Sequence, residues 1–296
     1  MSAAAPPIPV LRTKDWFHAD GFPVALQYRE PQGEFGYHAH EFSELVLITG
    51  GTGLHVTGTV QMPLAAGDVF VISGRRPHVY QQMRKLKLIN VLFDPRRLAL
   101  PLGDLTALPG YHALFTVEPA WRRRHEFRSR LHLSARDLGH AVGLCDRMND
   151  ELKARAAGFG FVTTALYMQL VGFLSRCYGA TTSPDGKAVL RVAQAISHLE
   201  ANYAQSVKLD DLAEIAGLTV RSFTRAFGAA MGCSPIQHLI QLRVNRAAAL
   251  LRQTDVSVTD IAFRVGFQDG NYFTRQFHKL IGMTPRQYRR AAAGRG

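Results

Sequence analysis

Between Leu209 and Arg289 the chain writes the same helical device twice. The first copy runs Asp211-Leu212-Ala213, Gly217-Leu218-Thr219, Phe223, Arg225, Phe227, then Gly232, Ser234 and Pro235. The second runs Asp260-Ile261-Ala262, Gly266-Phe267, Phe273, Arg275, Phe277, then Gly282, Thr284 and Pro285. Ala213 to Ala262 is a step of 49 positions and Phe227 to Phe277 a step of 50, so the second copy carries one extra residue in its turn. An Ala-x-x-x-Gly step gives a short helix with a small residue where a neighbour approaches, ended by a residue that tolerates positive φ. Such a tight turn sets two helices steeply across one another. Thr219 is placed to cap the next helix, and Phe223 with Phe227 fall on its inner face. Ser234-Pro235-Ile236-Gln237 and Thr284-Pro285-Arg286-Gln287 both read as capping boxes with proline at the first helical position. The economical reading is a helix-turn-helix in duplicate.

Charge supports a polyanionic partner for this part of the chain. Residues 187–296 hold 15 Lys/Arg against 7 Asp/Glu, net +8, while the other 186 residues hold 20 against 16, net +4. A basic excess concentrated on the duplicated segment is what a phosphate-facing surface requires. The segment 187–290 resembles the DNA-binding domain of AraC-family transcription regulators. Gly266-Phe267, Asn271-Tyr272-Phe273, Arg275, Phe277, Gly282, Thr284-Pro285 and Tyr288-Arg289 follow that family's signature. The resemblance implies sequence-specific binding of double-stranded DNA.

Helical spacing then selects the outward residues. In the first reading helix these are Arg221, Ser222, Thr224 and Arg225, with Arg221 placed for a guanine edge. In the second they are Gly270, Asn271, Thr274 and Arg275, with Asn271 suited to adenine. Arg225 and Arg275 equally suit ion pairs to the preceding helix. Phe223, Phe227, Tyr272, Phe273 and Phe277 are expected in the core. The helix between the copies, Ser234 to Arg252, spans about 24 Å over its interior, enough to hold two readers roughly one DNA turn, about 34 Å, apart.

Ahead of this domain the pattern changes to short β-like runs broken by Gly and Pro: Val24–Arg29, Phe42–Thr49, Gly53–Thr57, Val60–Leu64, Asp68–Ile72, His78–Gln81 and Leu86–Phe93. Runs at this spacing predict a small sandwich or barrel. His38-Ala39-His40, Glu44, Gly50-Gly51, Gly67-Asp68 and Pro77-His78 resemble the two motifs of a cupin barrel. His-x-His puts two imidazoles on one strand face. With Glu44 and His78 they suit either hydrogen bonds to the hydroxyls of a sugar or a divalent cation held by N and O donors. Against the metal reading, Ser73 and Arg75 stand where Pro and Gly are usual in metal-holding cupins. Arg29 and Tyr80 join the pocket by position. Asn90–Phe93, Leu108–Phe115 and Arg130–Ser134 extend the likeness towards the L-rhamnose-responsive activators of the AraC family. Arg122-Arg123-Arg124, outside the duplicated domain, reads as a solvated basic loop.

Leu138, Ala141, Cys145, Met148 and Leu152 recur at helical spacing. That seam suits either packing on the barrel or an antiparallel pairing with a second subunit, as in related regulators. Phe161–Tyr178 is apolar all round and is expected to be the more deeply buried helix. Residues 1 to about 20, Ala/Pro-rich at first, are expected to begin loosely ordered. Three scattered cysteines without a CxxC pair suggest reduced thiols and a cytoplasmic protein. No leader or bilayer-spanning run is legible.

The expected fold is α+β in two domains: a cupin-like ligand-sensing and dimerisation domain over 1–178, a linker over 179–186, and an all-α double helix-turn-helix over 187–296. The expected function is a sugar-responsive transcription activator, homodimeric, acting on double-stranded DNA with RNA polymerase as partner. It has no catalytic residues and no cofactor beyond a possible divalent metal in the pocket. The alternatives are a metal-dependent cupin enzyme fused to a DNA-binding module, with His38, His40, Glu44 and His78 as ligands, or a repressor with a non-sugar ligand.

Overall fold

The computed structural model describes residues 8–73, 76–98, 100–122 and 130–293. The first seven residues, Arg75, and Arg123-Arg124 of the basic triplet lie outside them. The chain forms two compact units that divide within a helix, at Leu190–Arg191.

The first unit opens with β1 (Val10–Leu11), α1 (Thr13–Trp16), β2 (Val24–Arg29), β3 (Ala39–His40), β4 (Ser43–Thr57), β5 (Val60–Ala65), β6 (Asp68–Ile72) and β7 (Val79–Phe93). Short helices α2 (Pro109–His112) and α3 (Glu118–Arg122) follow, then β8 (Leu131–His132). The main sheet runs β2-β7-β4-β6-β8, with β5 on the second half of β4, while β1 pairs with β3 in a separate parallel ladder. Two pairs of predicted runs prove to be single strands. Phe42–Thr49 and Gly53–Thr57 lie in β4, and His78–Gln81 and Leu86–Phe93 lie almost wholly in β7. What read as turns are irregularities inside one ladder: the β4–β7 register shifts at Ile48/Gly50, Gly50/Thr52 and Thr52/Leu54. Gly51 supplies a positive φ there, and Gln82 and Lys85 do so on β7.

Cross-strand register fixes which residues share the inner face, because directly opposed side chains point the same way. One row is Ala25, Leu92, Glu44 and Ile72; the next is Gln27, Asn90, Val46 and Phe70; a third is Arg29, Leu88 and Ile48. Val46, Ile48, Phe70 and Leu88 join Met62, Leu64 and Tyr80 in a buried cluster.

Helices α4 (Ala135–Ala154) and α5 (Phe159–Gly179) complete this unit. Ser134 caps α4 by accepting from the Asp137 N–H, and the helix buries Ala141, Leu144, Cys145 and Met148. This seam is used within the chain: α4 lies on α5 and β2, and the Tyr28 hydroxyl donates to Asp146 at 2.8 Å. As expected, α5 is the more deeply buried helix, with eight buried residues to the four of α4, but it is not covered on every side. It buries Leu166, Tyr167, Leu170, Leu174 and Tyr178, but Phe161 is 83% exposed and Val162 and Met168 are also exposed. Apolar content records how much surface wants covering, not that one chain covers all of it.

Cys145 lies on the buried face of α4 with its thiol pushed up to about 12, first by burial and then by the Asp146 charge. Relative to the ordinary value of 9.0, its thiolate fraction at pH 8 falls about a thousand-fold. Iodoacetamide at pH 8 is therefore expected to spare Cys145 in the folded protein and label it after denaturation, which peptide mapping would read.

Helix α6 (Pro184–Asn202) begins inside the predicted linker, leaving only residues 180–183 between α5 and α6. Ser183 Oγ accepts from the Gly186 N–H at 3.1 Å. Ser-Pro at this point starts a helix as readily as it ends one.

The second unit contains the end of α6, then α7 (Leu209–Ile215), α8 (Val220–Met231), α9 (Pro235–Gln253), α10 (Val258–Arg264), α11 (Gly270–Ile281) and α12 (Pro285–Ala293). Both short helices have seven residues and both reading helices twelve. The duplication reaches the ring geometry. Phe223–Phe227 and Phe273–Phe277 each sit 5.6 Å apart at 64° and 65°, and Phe227–His238 and Phe277–Tyr288 each sit 5.6 Å apart at 72°.

Candidate functional sites

The polar centre of the first unit is built on the inner face of β3, β4 and β7. His38 forms an isolated bridge with His78, which brings the start of the His-x-His run against the end of the barrel motif. His38, His40, Glu44, His78 and Tyr80 are all buried. The His38 and His78 rings lie 4.4 Å apart and those of His40 and His78 5.3 Å apart. Each imidazole has one nitrogen directed at a backbone carbonyl: His38 Nδ1 at Gly36 O (2.8 Å), His40 Nδ1 at Phe42 O (2.6 Å) and His78 Nδ1 at Arg76 O (3.3 Å). The other nitrogens of His40 and His78 converge on one oxygen of Glu44, at 3.5 and 3.7 Å.

Burial drives the His78 pKa down to about 3, against the pull of the Glu44 charge, so this ring is neutral at physiological pH. For Glu44, burial pushes the pKa up, but the contact with His40 and the fields of the neighbouring imidazoles outweigh it. The net shift is down, and the group is a buried carboxylate.

Arg29 shares the inner face but stands two rows from Glu44, with its guanidinium 6.0 Å from the Trp16 ring. Trp16 meets Phe35, and Phe35 meets His38 at 4.5 Å, so Arg29 connects to the imidazoles through an aromatic relay rather than by touching them. A hollow of about 860 Å³ on this rim is lined in part by Gln32, Phe35, Tyr80 and Met83. A separate cavity of about 410 Å³ lies on the other face of the sheet, where Ser43 and Phe93 meet Tyr111, Phe115 and Tyr167. It is largely apolar and takes no part in the imidazole cluster.

The sequence reading missed His55, whose ring is 5.4 Å from His78 and 5.6 Å from Tyr80. Along an unbroken strand, an odd-numbered residue would face away from Glu44. The irregularity at Gly50–Thr52 reverses that parity, so Glu44, Val46 and Ile48 before it and His55 after it point inward. The double glycine was the available signal.

In the second unit Thr219 caps α8 by accepting from the Ser222 N–H, and Asp269 caps α11 by accepting from the Tyr272 N–H. The extra residue of the second copy lies in the turn before Asp269. Gly217 and Gly266 have φ of +61° and +92°. At Gly266 a Cβ would also meet the Ala204 carbonyl oxygen at 2.7 Å.

Arg221, Arg225, Asn271 and Arg275 are exposed, while Ser222, Thr224, Gly270 and Thr274 are half-buried. Thr274 Oγ1 turns back to donate to the Gly270 carbonyl at 2.8 Å, and Ser222 Oγ accepts from the Thr219 hydroxyl at 3.0 Å. Tyr272, expected in the core, is 38% exposed. It leans on Phe267 at 6.0 Å and lies 5.9 Å below the Arg275 guanidinium. Among the described residues the ion pair of this unit joins Arg246 to Glu200, and neither Arg225 nor Arg275 forms one. The capping boxes differ. Thr284 and Gln287 exchange bonds both ways, whereas at Ser234 the described bond is the one from the Gln237 N–H.

Comparison with known proteins agrees with both halves. Residues 212–291 match a model described as a helix-turn-helix domain, and residues 23–157 one described as an AraC-like ligand binding domain. The "HTH-type transcriptional activator RhaR" of Enterobacter sp. (strain 638) is 31% identical over 281 residues, covering 95% of this chain and 96% of that one. The chain belongs to the AraC family of transcription regulators. It is a DNA-binding regulator with an AraC-type helix-turn-helix half and an AraC-like ligand-binding half. A second AraC-family relative, the activator RhaR of Klebsiella pneumoniae subsp. pneumoniae, is 32% identical over 292 residues, covering 96% of this chain and 99% of its own. Among solved structures, an AraC-type regulator from Chromobacterium violaceum is 33% identical, with 36% of this chain and 95% of that one covered and a TM-score of 0.34. No helix among the described residues is long and apolar enough to cross a membrane.

Proposed function

We propose that the protein is a cytoplasmic, homodimeric transcription activator switched by a monosaccharide, with L-rhamnose the first candidate. A sugar entering the first unit is held by His38, His40, Glu44, His78 and Tyr80, with Arg29 at the rim. The second unit then reads two direct half-sites beside a promoter through Arg221, Ser222, Thr224 and Arg225 in one groove, and Gly270, Asn271, Thr274 and Arg275 in the next. RNA polymerase is the partner that converts binding into activation. The exposed Phe161, Val162 and Met168 on α5 offer the apolar surface for a second copy. The protein itself carries no catalytic role in this reading.

The observation that carries it is the buried polar cluster inside a ligand-binding domain whose relatives are named as RhaR activators along nearly their whole length. Hydroxyl-rich ligands need convergent donors and acceptors that are shielded from water. A ligand that binds only the native state stabilises it by about 2.7 kcal/mol at a hundred times Kd. L-Rhamnose at millimolar concentration is therefore expected to raise the melting temperature followed by tryptophan fluorescence, with L-fucose and D-glucose giving less. Equal, negligible shifts with all three sugars would discard the monosaccharide reading.

A further inference from the structure

The cavity on the outer face of the sheet differs from the polar centre in its chemistry, although the two share a strand. Ser43 stands next to Glu44 on β4 and so points the opposite way. It is paired with Phe93 of β7, and both line the hollow of about 410 Å³. The segment of α2 and the turn after it contribute Tyr111 and Phe115, and α5 contributes Tyr167 and Val171.

Native interiors leave few voids larger than a water molecule, whereas small-molecule sites begin at roughly 300 Å³. An apolar cavity of about 150 Å³ holds one benzene, so this hollow has room for about two or three rings. Its walls are already aromatic. The Phe93 and Tyr167 rings lie 5.5 Å apart, and those of Tyr111 and Phe115 5.4 Å apart and close to parallel, at 27°. Among the described residues none that lines the cavity carries a charge. A carboxylate or an ammonium group buried there would have no counter-charge, and a sugar would strand most of its hydroxyls against hydrocarbon.

One polar group points to an occupant. Tyr167 is 2% exposed, and among the described residues its hydroxyl has no hydrogen-bond partner. Buried tyrosine hydroxyls ordinarily find one. Burial, and then the neighbouring Tyr111, push its pKa well above the ordinary tyrosine value. At neutral pH it is therefore a proton donor facing a cavity, in want of an acceptor.

We propose that this cavity is a second ligand site, for a neutral two- or three-ring aromatic molecule whose carbonyl oxygen accepts from the Tyr167 hydroxyl. The aromatic walls supply stacking and edge contacts to the rings, and the single donor fixes which end of the molecule enters first. The site goes beyond the monosaccharide reading and stands without it, since the polar centre lies on the other face of β4.

The test titrates full-length protein with N-phenyl-1-naphthylamine, a neutral fluorophore of this size. Expected is a saturable, blue-shifted signal at one probe per chain. Val171→Trp fills the cavity and is expected to weaken the probe at least about ten-fold, while Met168→Glu, on the exposed side of α5, leaves it unchanged. Displacement by 2-acetylnaphthalene and by 2-ethylnaphthalene then reads the hydrogen bond. Tyr167→Phe is expected to shift the ratio of their two constants by about five-fold in favour of the ethyl compound. Wild-type protein that gives no saturable signal overturns the site. So does a folded Val171→Trp protein that binds the probe as before, or a Met168→Glu protein that loses it; if Val171→Trp does not fold, Leu102→Trp at the half-buried rim decides in its place. An unchanged ratio in Tyr167→Phe overturns the assignment of the donor. The titration contains no sugar, so it stays decisive whatever the polar centre binds.

Discussion

Gly51→Ala is expected to destabilise the first unit selectively. A Cβ on Gly51 would lie 2.1 Å from the Lys85 carbonyl oxygen and 2.4 Å from its carbon, both backbone atoms of the facing strand. The residue also has φ of +68°, where an L side chain is strained by about 1–2 kcal/mol. Forcing two backbones apart in a close-packed sheet costs about 1–3 kcal/mol more. The combined loss, roughly 2–5 kcal/mol, is expected to lower the melting temperature by about 10 °C. Both tryptophans, Trp16 and Trp121, belong to the first unit, so their fluorescence reports its unfolding. DNA binding followed by anisotropy reports the other. A Gly51→Ala protein with an unchanged tryptophan melt would mean that the β4–β7 irregularity is free to rearrange.

The second large effect is on DNA. Arg221→Ala is expected to weaken binding to a sequence selected by the wild-type protein by about 1–3 kcal/mol, or roughly 5- to 150-fold in Kd at fixed salt. Arg221 is exposed one residue into α8, and a base-reading arginine carries specificity as well as affinity. The variant should therefore lose preference at one base pair while its salt dependence changes little. Arg225→Ala, if that group grips a phosphate, should weaken all sequences alike and reduce the salt slope by about one. Full affinity and unchanged preference in Arg221→Ala would strike the residue from the readout surface.

Much of the second unit was legible because its signals are local. A capping hydroxyl, a proline at the first helical position and a glycine at the helix end each act within a few residues. Thr219, Pro235 and Gly232 therefore mark real helix boundaries. Tyr272 was misjudged because helical spacing places a residue near the boundary of the inner face without saying which way it falls. Its counterpart at an offset of 50 is the half-buried Ser222. In the first unit the inward residues before Gly50 followed from alternation, but His55 did not, because a local irregularity changes the parity of everything after it. The exposed side of α5 was hidden for another reason. Coverage of Phe161 depends on other elements or other molecules, which no periodicity within the helix records.

Arg243, in the middle of α9, donates from Nε to the Tyr203 carbonyl and from Nη2 to the Gln205 carbonyl, each at 2.7 Å. One planar group thus fastens the segment leading into α7 to the rod; the first reader packs on the same rod through Phe227 against His238, and the second shares a core with it through Val244, Ala247 and Leu251. The interval between the two readers is consequently a property of the protein before any duplex arrives. An operator whose half-sites are spaced differently must itself twist or bend to comply, so the elastic energy of the duplex becomes part of how targets are told apart.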